Sequence, residues 1–186
     1  MNFSPASGTV KPETLVELKL FQGGPCEITA LQRVLEGAPQ YTYRVTGRLP
    51  EPGDAQNLFD SCPAGKTRAD KFVFAISFNG HIIGCADVVR GYPGQDTAMI
   101  GLLLLSEQHH RQGIGRVAYT RLEAIIRSWG QCHKIRIGVV RTNEAVLPFW
   151  QKLGFVPTGE RKPYRYEQVE AETIVLEKVL YTTKAG

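Results

Sequence analysis

Residues 100–116 read IGLLLLSEQHHRQGIGR, an apolar run followed by a glycine-containing turn and the start of an amphipathic helix. In the turn, Gly113 and Gly115 allow a tight bend and a close approach of the backbone to a ligand, because they lack a Cβ atom. The first N–H groups of the helix have no internal partners and lie at the positive end of its dipole. Arg111 and Arg116 add charge, so this stretch predicts a binding site for an anion such as a pyrophosphate.

A turn of this kind also occurs as a plain connection between a strand and a helix, in which glycine only permits close packing. The dinucleotide fingerprint G-x-G-x-x-G is not met, because its last glycine would have to stand at Ala118. The strands before the turn are also predicted to be antiparallel, unlike those of a dinucleotide-binding fold. The turn alone therefore leaves the anion site and the packing role both open.

Hydrophobic periodicity predicts the elements on either side of this turn. The predicted strands cover residues 14–21, 71–78, 81–89, 97–105, 133–140, 155–159 and 173–180, with a hairpin at the Asn79–Gly80 pair. The predicted helices cover residues 28–35, 54–59, 113–129 and 144–153. This order predicts an α/β fold with a mixed, mostly antiparallel central sheet and flanking helices. We expect one domain over residues 14–182, preceded by a flexible N-terminus, residues 1–13.

The 186 residues are 42% hydrophobic and 22% charged, which suits a globular domain with a sizeable core. The net charge of +4 is too small to indicate nucleic acid binding; it suits an anionic cofactor, but a surplus of surface lysine gives the same value. No apolar run approaches the ~20 residues of a membrane span, and no secretory signal is present. The four cysteines form no C-x-x-C pair, so we expect reduced thiols and no metal site. These features predict a cytoplasmic protein without a membrane or nucleic acid partner.

Two motifs resemble those of the GNAT N-acetyltransferase superfamily. The glycine turn, residues 110–115, is similar to the family's coenzyme A loop Q/R-x-x-G-x-G/A, with His110 in place of Gln or Arg. After the next strand, the pattern N-x-x-A-x-x-F-Y-x-x-x-G-F is matched with Val in place of Ala and Trp in place of Tyr. The matching residues are Asn143, Val146, Phe149, Trp150, Gly154 and Phe155. The resemblance covers residues 14–180, and residues 100–156 carry it.

The resemblance implies a V-shaped splay between strands four and five and acetyl-CoA as the co-substrate, with no metal. The pantetheine arm would lie in the splay like an extra strand and bond main-chain groups of the apolar run. That run is also typical of a core strand buried on both faces, and the two roles are compatible. The implied cofactor-binding residues are Leu103, Leu104, Leu105, His110, Arg111, Gln112, Gly113, Ile114, Gly115, Arg116, Asn143, Phe149 and Trp150.

The implied reaction is direct attack of an amine on the thioester, catalysed by an N-acetyltransferase, an acyltransferase transferring groups other than aminoacyl. The amine must lose its proton first. Antiparallel pairing around Gly94 places Asp87 opposite Gly101, on the face of Leu103 and Leu105, so Asp87 is the predicted catalytic base. An isolated acidic residue among apolar neighbours also fits a purely structural hydrogen-bonding role.

The departing thiolate must gain a proton. In many relatives the tyrosine of the second motif is the proposed donor, but Trp150 stands there in this chain, and an indole N–H is no useful acid. Tyr164 and Tyr166, expected in the turn between the last two strands, are the candidates, with Tyr164 the predicted catalytic acid. Both also fit as ordinary loop residues, and a water or unassisted departure is a further option.

The acceptor is predicted to be a primary amine of a small molecule or peptide. Tyr41, Tyr43, Asp54 and Phe59 are candidates for the substrate wall, although each also fits a core or solvent position. A catalytically idle acyl-CoA-binding module is the alternative, which Trp150 favours slightly. A DNA-associated regulator is disfavoured by the modest charge and the lack of a basic helix. The sequence is compatible with a homodimer.

Overall fold

The structure is a computed structural model that describes residues 15–180, and the predicted flexible N-terminus, residues 1–13, lies outside them. Its strands are β1 (Val16–Leu20), β2 (Lys71–Phe78), β3 (His81–Arg90), β4 (Thr97–Leu105), β5 (Lys134–Val140), β6 (Val156–Tyr166) and β7 (Val169–Val179). They form one sheet in the order β1-β2-β3-β4-β5-β7-β6. Among these strands only the pair β4–β5 is parallel, so the predicted mixed, mostly antiparallel sheet is confirmed.

Five α-helices flank the sheet within the described residues. They are α1 (Pro25–Glu36), α2 (Pro39–Thr46), α3 (Asp54–Asp60), α4 (Ile114–Ser128) and α5 (Leu147–Lys152). Two short 3-10 turns, Glu107–His109 and Arg141–Val146, follow β4 and β5. None of the five helices is both long enough and apolar enough to cross a membrane.

Apolar side chains cover both faces of the sheet. On one face, α4 packs Ala118, Leu122 and Ile126 against the central strands. On the other face, Leu31 of α1 and Phe59 of α3 pack together against the strands. Burying one large apolar side chain stabilises the fold by roughly 1.5–3 kcal/mol. The two layers therefore hold the sheet rigidly from both sides and fix the strand ends from which the site is built.

Helix α2 is the main departure from the sequence prediction, which placed no helix between residues 36 and 53. Its aromatic and β-branched residues, such as Tyr41 and Thr42, have low helix propensity, so the local pattern does not predict it. Two signals nevertheless bracket it. Pro39 occupies the first turn, and Gly47, with a φ of 83°, follows the last residue in the left-handed conformation.

The closing hairpin is longer than predicted. β6 and β7 have 11 residues each, and the chain reverses at Glu167, whose φ is 48°. Tyr164 and Tyr166, which were predicted in the turn, therefore lie within β6, and that prediction was wrong. β6 is the outermost strand, where Pro157 and Pro163 are tolerated because no further strand needs their missing N–H groups.

The strands β4 and β5 separate after a short paired section. Residues 97–100 of β4 pair with residues 134–137 of β5, and the two strands diverge beyond them. This confirms the predicted V-shaped splay between strands four and five. On its other edge β4 stays paired with β3, except at a β-bulge that leaves Gly101 without a partner. The splay opens a cleft in the middle of the sheet.

Candidate active site

A cavity of about 590 Å³ occupies the cleft between the diverging parts of β4 and β5. Its walls come from the C-terminal half of β4 and the following turn, the end of β5, the start of α5, and one face of α2. The size is that of pockets which bind small molecules and cofactors. The parallel strands end at this cleft, so the groups that follow both strands converge on one space.

Main-chain groups of β4 form one side of the cavity. Residues 102–105 pair with β3 along one edge, and the other edge has no strand partner because β5 has moved away. An extended ligand can add to such an edge through main-chain hydrogen bonds. The side chains meanwhile pack into the core: Leu102 and Leu104 into one layer, and Leu105 into the other. The apolar run is therefore core and cavity wall at once.

The turn after β4 has the shape of an anion site. Gly113 has a φ of 79°, and a Cβ atom at this position would meet no atom within 4 Å, so a ligand has room against the backbone. No side chain of the described residues caps the first turn of α4. The guanidinium-bearing residues Arg111 and Arg116 both line the cavity. Exposed helix N–H groups with two cations beside them suit a pyrophosphate.

His110 fastens the turn to the strand. Its Nε2 donates a hydrogen bond to the main-chain carbonyl of Leu105, at 2.9 Å. This bond requires the proton on Nε2, because a carbonyl oxygen only accepts. The imidazole therefore sets the position at which the turn leaves the strand, and the anion site keeps its main-chain geometry with a histidine at this position.

Aromatic residues of α5 close the inner end of the cavity. Trp150 is buried, and its ring lies edge-on to those of Tyr119, Phe149 and Phe155 at centroid distances of 6.0, 5.2 and 5.2 Å. Phe149 packs against Gly115, with ring atoms 3.6 Å from the point where a Cβ of Gly115 would lie. The indole is held by ring packing, so it shapes the wall.

Helix α2 crosses the open side of the cleft and is bonded at both ends. At its start, the N–H of Gln40 donates to Oε1 of Glu107 at 2.9 Å, in the turn after β4. Near its end, the hydroxyl of Thr142 donates to the carbonyl of Arg44 at 2.6 Å, in the turn after β5. The helix thus joins the ends of the two diverging strands and roofs the space between them.

Comparison with known proteins identifies this arrangement. A family model described as the acetyltransferase (GNAT) family matches residues 38–155, which include every wall of the cavity. The chain belongs to the acetyltransferase (GNAT) family. No curated protein matches the sequence at a significant level.

Several solved structures share the GNAT fold. An acetyltransferase from Thermus thermophilus is 23% identical with a TM-score of 0.69, covering 88% of this chain and 97% of that one. A Salmonella typhimurium acetyl transferase, described as modifying the N-terminal serine of the 50S ribosomal subunit protein L7/L12, is 16% identical with a TM-score of 0.72, covering 90% and 96%. The Escherichia coli ribosomal-protein-S18-alanine N-acetyltransferase is 14% identical with a TM-score of 0.65, covering 92% and 98%. At these identities the likeness establishes the fold.

Most residues predicted to bind the cofactor line the GNAT cavity. They are Leu103, Leu104, Leu105, His110, Arg111, Gly113, Gly115, Arg116, Asn143, Phe149 and Trp150. Gln112 and Ile114 do not line it. The side-chain amide of Gln112 donates to the carbonyl of Gln108 at 2.9 Å, and the side chain of Ile114 is buried in the core.

Asp87, the predicted base, lies behind the cavity wall. The bulge places it opposite Leu102, where the sequence predicted Gly101, and directly paired residues share a face of the sheet. Asp87 therefore lies on the face of Leu102, opposite to that of Leu103 and Leu105, and the predicted register was wrong by one residue. A β-bulge adds one residue on one strand, which shifts the pairing beyond it.

The carboxylate of Asp87 forms a buried ion pair. Its Oδ2 accepts a hydrogen bond from Nζ of Lys71 at 3.1 Å, and the two residues are only 7% and 4% exposed. Its Oδ1 is buried without a hydrogen-bond partner in the described part of the chain. Burial raises the pKa of the Asp87 carboxyl, and the Lys71 ammonium opposes that rise. Gly101 stands between this carboxylate and the cavity: a Cβ atom there would lie 3.0 Å from Oδ2.

Tyr164, the predicted acid, does not line the cavity. Its phenol donates a hydrogen bond to the carbonyl of Val45 at 2.8 Å, which ties β6 to the end of α2. Burial raises the pKa of Tyr164, and the neighbouring Tyr166 and Glu167 raise it further. In this geometry the side chain supports the roof of the cavity from outside.

Of the four residues predicted for the substrate wall, only Tyr41 lines the cavity. Tyr43 is 56% exposed, Asp54 is held by a neighbouring arginine, and Phe59 is buried beneath the guanidinium of Arg68. The other wall residues of α2 were not predicted from the sequence. The proline at the start of the helix and the glycine after its end are the sequence signals from which these residues could have been predicted.

Proposed function

We propose that this GNAT protein transfers an acetyl group from acetyl-CoA to a primary amine of a small molecule or peptide. The observation that carries the proposal is the unpaired edge of β4, which leads directly into the open glycine turn. The edge suits an extended pantetheine arm, and the turn suits the pyrophosphate attached to it. The thioester would then lie deep in the splay, near Gly101.

The reaction is one substitution at the thioester carbonyl. The amine nitrogen attacks the carbonyl carbon, the C–N bond forms, and the C–S bond breaks after a tetrahedral intermediate. The ammonium proton must pass to a base beforehand, because an amine of pKa ~10.4 is almost wholly protonated at neutral pH. The thiolate leaves with the electron pair of the C–S bond and takes up a proton.

Asp87 is our candidate for the base, acting through a water molecule beside Gly101. The missing side chain at Gly101 supports this, because any Cβ there would crowd Oδ2. The unpartnered Oδ1 can accept a further hydrogen bond. Burial raises the pKa of this carboxyl and so makes it a stronger base.

Tyr41 is our candidate for the acid. It is the one tyrosine on the cavity wall among residues 15–180, whereas Tyr164 already donates its proton to a main-chain carbonyl. Burial raises the pKa of the Tyr41 phenol, and the charges of Tyr164, Cys85 and Asp87 raise it further, so the phenol holds its proton at neutral pH. As a neutral phenol it can donate a hydrogen bond that stabilises the departing thiolate, and its raised pKa makes it a weaker acid than the thiol that forms.

A catalytically idle acyl-CoA-binding module is the competing function, and the buried Trp150 at the tyrosine position of the motif favours it. Release of free coenzyme A thiol with a panel of amines, read alongside calorimetry with acetyl-CoA, separates the two. Amine-dependent release supports the transferase. Binding of acetyl-CoA without any amine-dependent release supports the idle module. The descriptions of two similar structures name ribosomal proteins as substrates, one of them at an N-terminal serine, so peptides with free amino termini belong in this panel.

The cytoplasmic location and the homodimer stay predictions. Mass spectrometry of products from acetyl-CoA and a pooled library of amines, polyamines, amino acids and aminoglycosides would identify the acceptor. The same experiment with longer acyl-CoA donors would test whether the chain prefers the acetyl group.

A further inference from the structure

The acidic and basic side chains on the cavity wall are unevenly placed. Five of the six belong to the turn after β4 or the first turn of α4, where the cofactor phosphates are proposed to bind. They are Glu107, His109, His110, Arg111 and Arg116. The sixth is Arg44, which reaches the cavity from α2. It is the one such residue outside this segment in the described part of the lining.

The guanidinium of Arg44 has only a neutral partner. Its Nη1 donates to Oδ1 of Asn143 at 3.3 Å, a long bond to an amide. Within residues 15–180, no carboxylate lies within 4.0 Å of it. The side chain is exposed and lines the cavity, and within the described residues no acidic side chain neutralises its charge.

Arg48, four residues further along, shows the opposite situation. Its guanidinium donates to Asp54 at 2.7 and 2.8 Å and to Glu167 at 2.6 and 2.9 Å. It therefore neutralises two carboxylates and holds the β6–β7 hairpin against the segment before α3. Arg48 therefore has a structural role as the partner of two carboxylates, whereas Arg44 has no such role among the described residues.

The position of Arg44 puts its guanidinium within reach of a bound acceptor. It follows Tyr41 by three residues on α2, which places it about one helical turn, or ~4.5 Å along the axis, further along the same face. Its contact with Asn143 puts it at the end of β5, across the cleft from the glycine turn. A molecule whose amine lies near Gly101 and Tyr41 would extend past this guanidinium.

We propose that Arg44 binds a carboxylate of the acceptor, so that the acceptor class is a primary amine carrying a carboxylate a few bonds from the nitrogen. The guanidinium presents a planar pair of N–H donors, which matches the two oxygens of a carboxylate. This inference rests on the proposed transfer to an amine.

The test compares acids with their own amides. Thiol release is measured for β-alanine against β-alaninamide and for 4-aminobutyrate against its carboxamide, with saturating acetyl-CoA. The amides have the lower amine pKa and so the larger neutral fraction, which works against the expected result. We expect kcat/KM for each acid to exceed that of its amide by at least tenfold, about 1.4 kcal/mol.

Three variants sharpen the comparison. Arg44→Gln should lower the acid-to-amide ratio to one or below, and Arg44→Glu should lower it further, while the KM for acetyl-CoA stays within about twofold. Arg33→Gln is the matched control, because it removes the same charge from an exposed residue of α1 that does not line this cavity. It should keep the ratio of the unmodified protein.

Three results would overturn the inference, and each has a different consequence. Turnover of amines with an acid-to-amide ratio near one, or a ratio that Arg44→Gln leaves unchanged, refutes the carboxylate site while leaving the transferase intact. A weaker acetyl-CoA affinity in Arg44→Gln with an unchanged ratio assigns the guanidinium to the cofactor phosphates. Absence of turnover with every amine refutes the proposed function itself, and the carboxylate site with it.

Discussion

The two halves of the cavity are built from different groups. The cofactor half, formed by residues 102–105 of β4 and the turn at residues 110–116, offers mainly main-chain atoms. The acceptor half, formed by Tyr41, Arg44 and the Asp87 carboxylate behind Gly101, offers side chains. A main-chain site tolerates the loss of a side chain but fails when one is added. A side-chain site fails when its side chain is removed. Added side chains should therefore disrupt the cofactor half, and truncated side chains should disrupt the acceptor half.

The largest effect is expected in the acceptor half. Asp87→Asn should lower kcat/KM for the amine by at least a hundredfold at pH 7, because general-base assistance contributes roughly 10²–10⁴ in rate. The deficit should shrink as pH rises, because the amine then loses its proton without help. Acetyl-CoA affinity should remain. Steady-state kinetics from pH 6 to 10 with calorimetry would check all three expectations.

The buried ion pair requires a control for this substitution. Asp87→Asn leaves the Lys71 ammonium buried without its counter-charge, which typically costs about 3–5 kcal/mol of stability. Adding Lys71→Met removes that charge, so the double variant should recover melting temperature without recovering turnover. If the single variant melts earlier but turns over normally per folded molecule, Asp87 is structural and the base is elsewhere.

The next effect concerns the cofactor half. Gly113→Asp adds a side chain and a negative charge at the proposed pyrophosphate position, so acetyl-CoA affinity should fall at least tenfold, about 1.4 kcal/mol. Gly65→Asp is a matched control. Gly65 has nearly the same φ, 78°, and the same open surroundings, but it does not line the cavity. Equal losses of affinity in both variants, or none in either, would contradict the anion site.

A smaller effect should separate the two tyrosines. Tyr41→Phe should reduce kcat by about fivefold with an unchanged KM for acetyl-CoA, below the usual range for acid catalysis because a thiolate leaves readily. Tyr164→Phe should leave kcat alone and lower stability by about 1 kcal/mol, the contribution of one hydrogen bond. If Tyr164→Phe instead reduces kcat and Tyr41→Phe lowers only the melting temperature, Tyr164 is the acid.

The smallest effect is expected at Trp150. Trp150→Tyr leaves a gap in the aromatic packing around the cavity, so the KM for acetyl-CoA should rise by about threefold while kcat stays constant. A higher kcat with a constant KM would show instead that a phenol at this position relieves a limiting protonation. The assay is the same thiol-release measurement with varied acetyl-CoA.

The geometry of the proposed cofactor half was largely predictable from sequence because it is local. A glycine at a left-handed φ, in the connection from an apolar strand to a helix, predicts an anion site within a few residues, and Gly113 is such a glycine. Even the replacement of Gln or Arg by His110 changes little, because the imidazole fastens the turn through a main-chain carbonyl.

The acceptor half was not predictable in the same way. A single β-bulge at Gly101 moved Asp87 to the other face of the sheet, and no local pattern marks that bulge. Helix α2 forms from residues of low helix propensity because contacts distant in sequence hold it, among them those with Glu107, Thr142 and Tyr164. Such contacts become visible only once the strands are placed.

The outermost strand of the sheet also governs how the molecule meets its neighbours. An exposed strand edge is a template for a foreign strand, and proteins that leave it open tend to aggregate. In β6, Pro157 and Pro163 lack the N–H groups such pairing requires, and a bulge at Gly159 with a φ of 84° interrupts the regular ladder. Growth of the sheet by strand addition is therefore blocked on this side, which favours colloidal stability at high protein concentration.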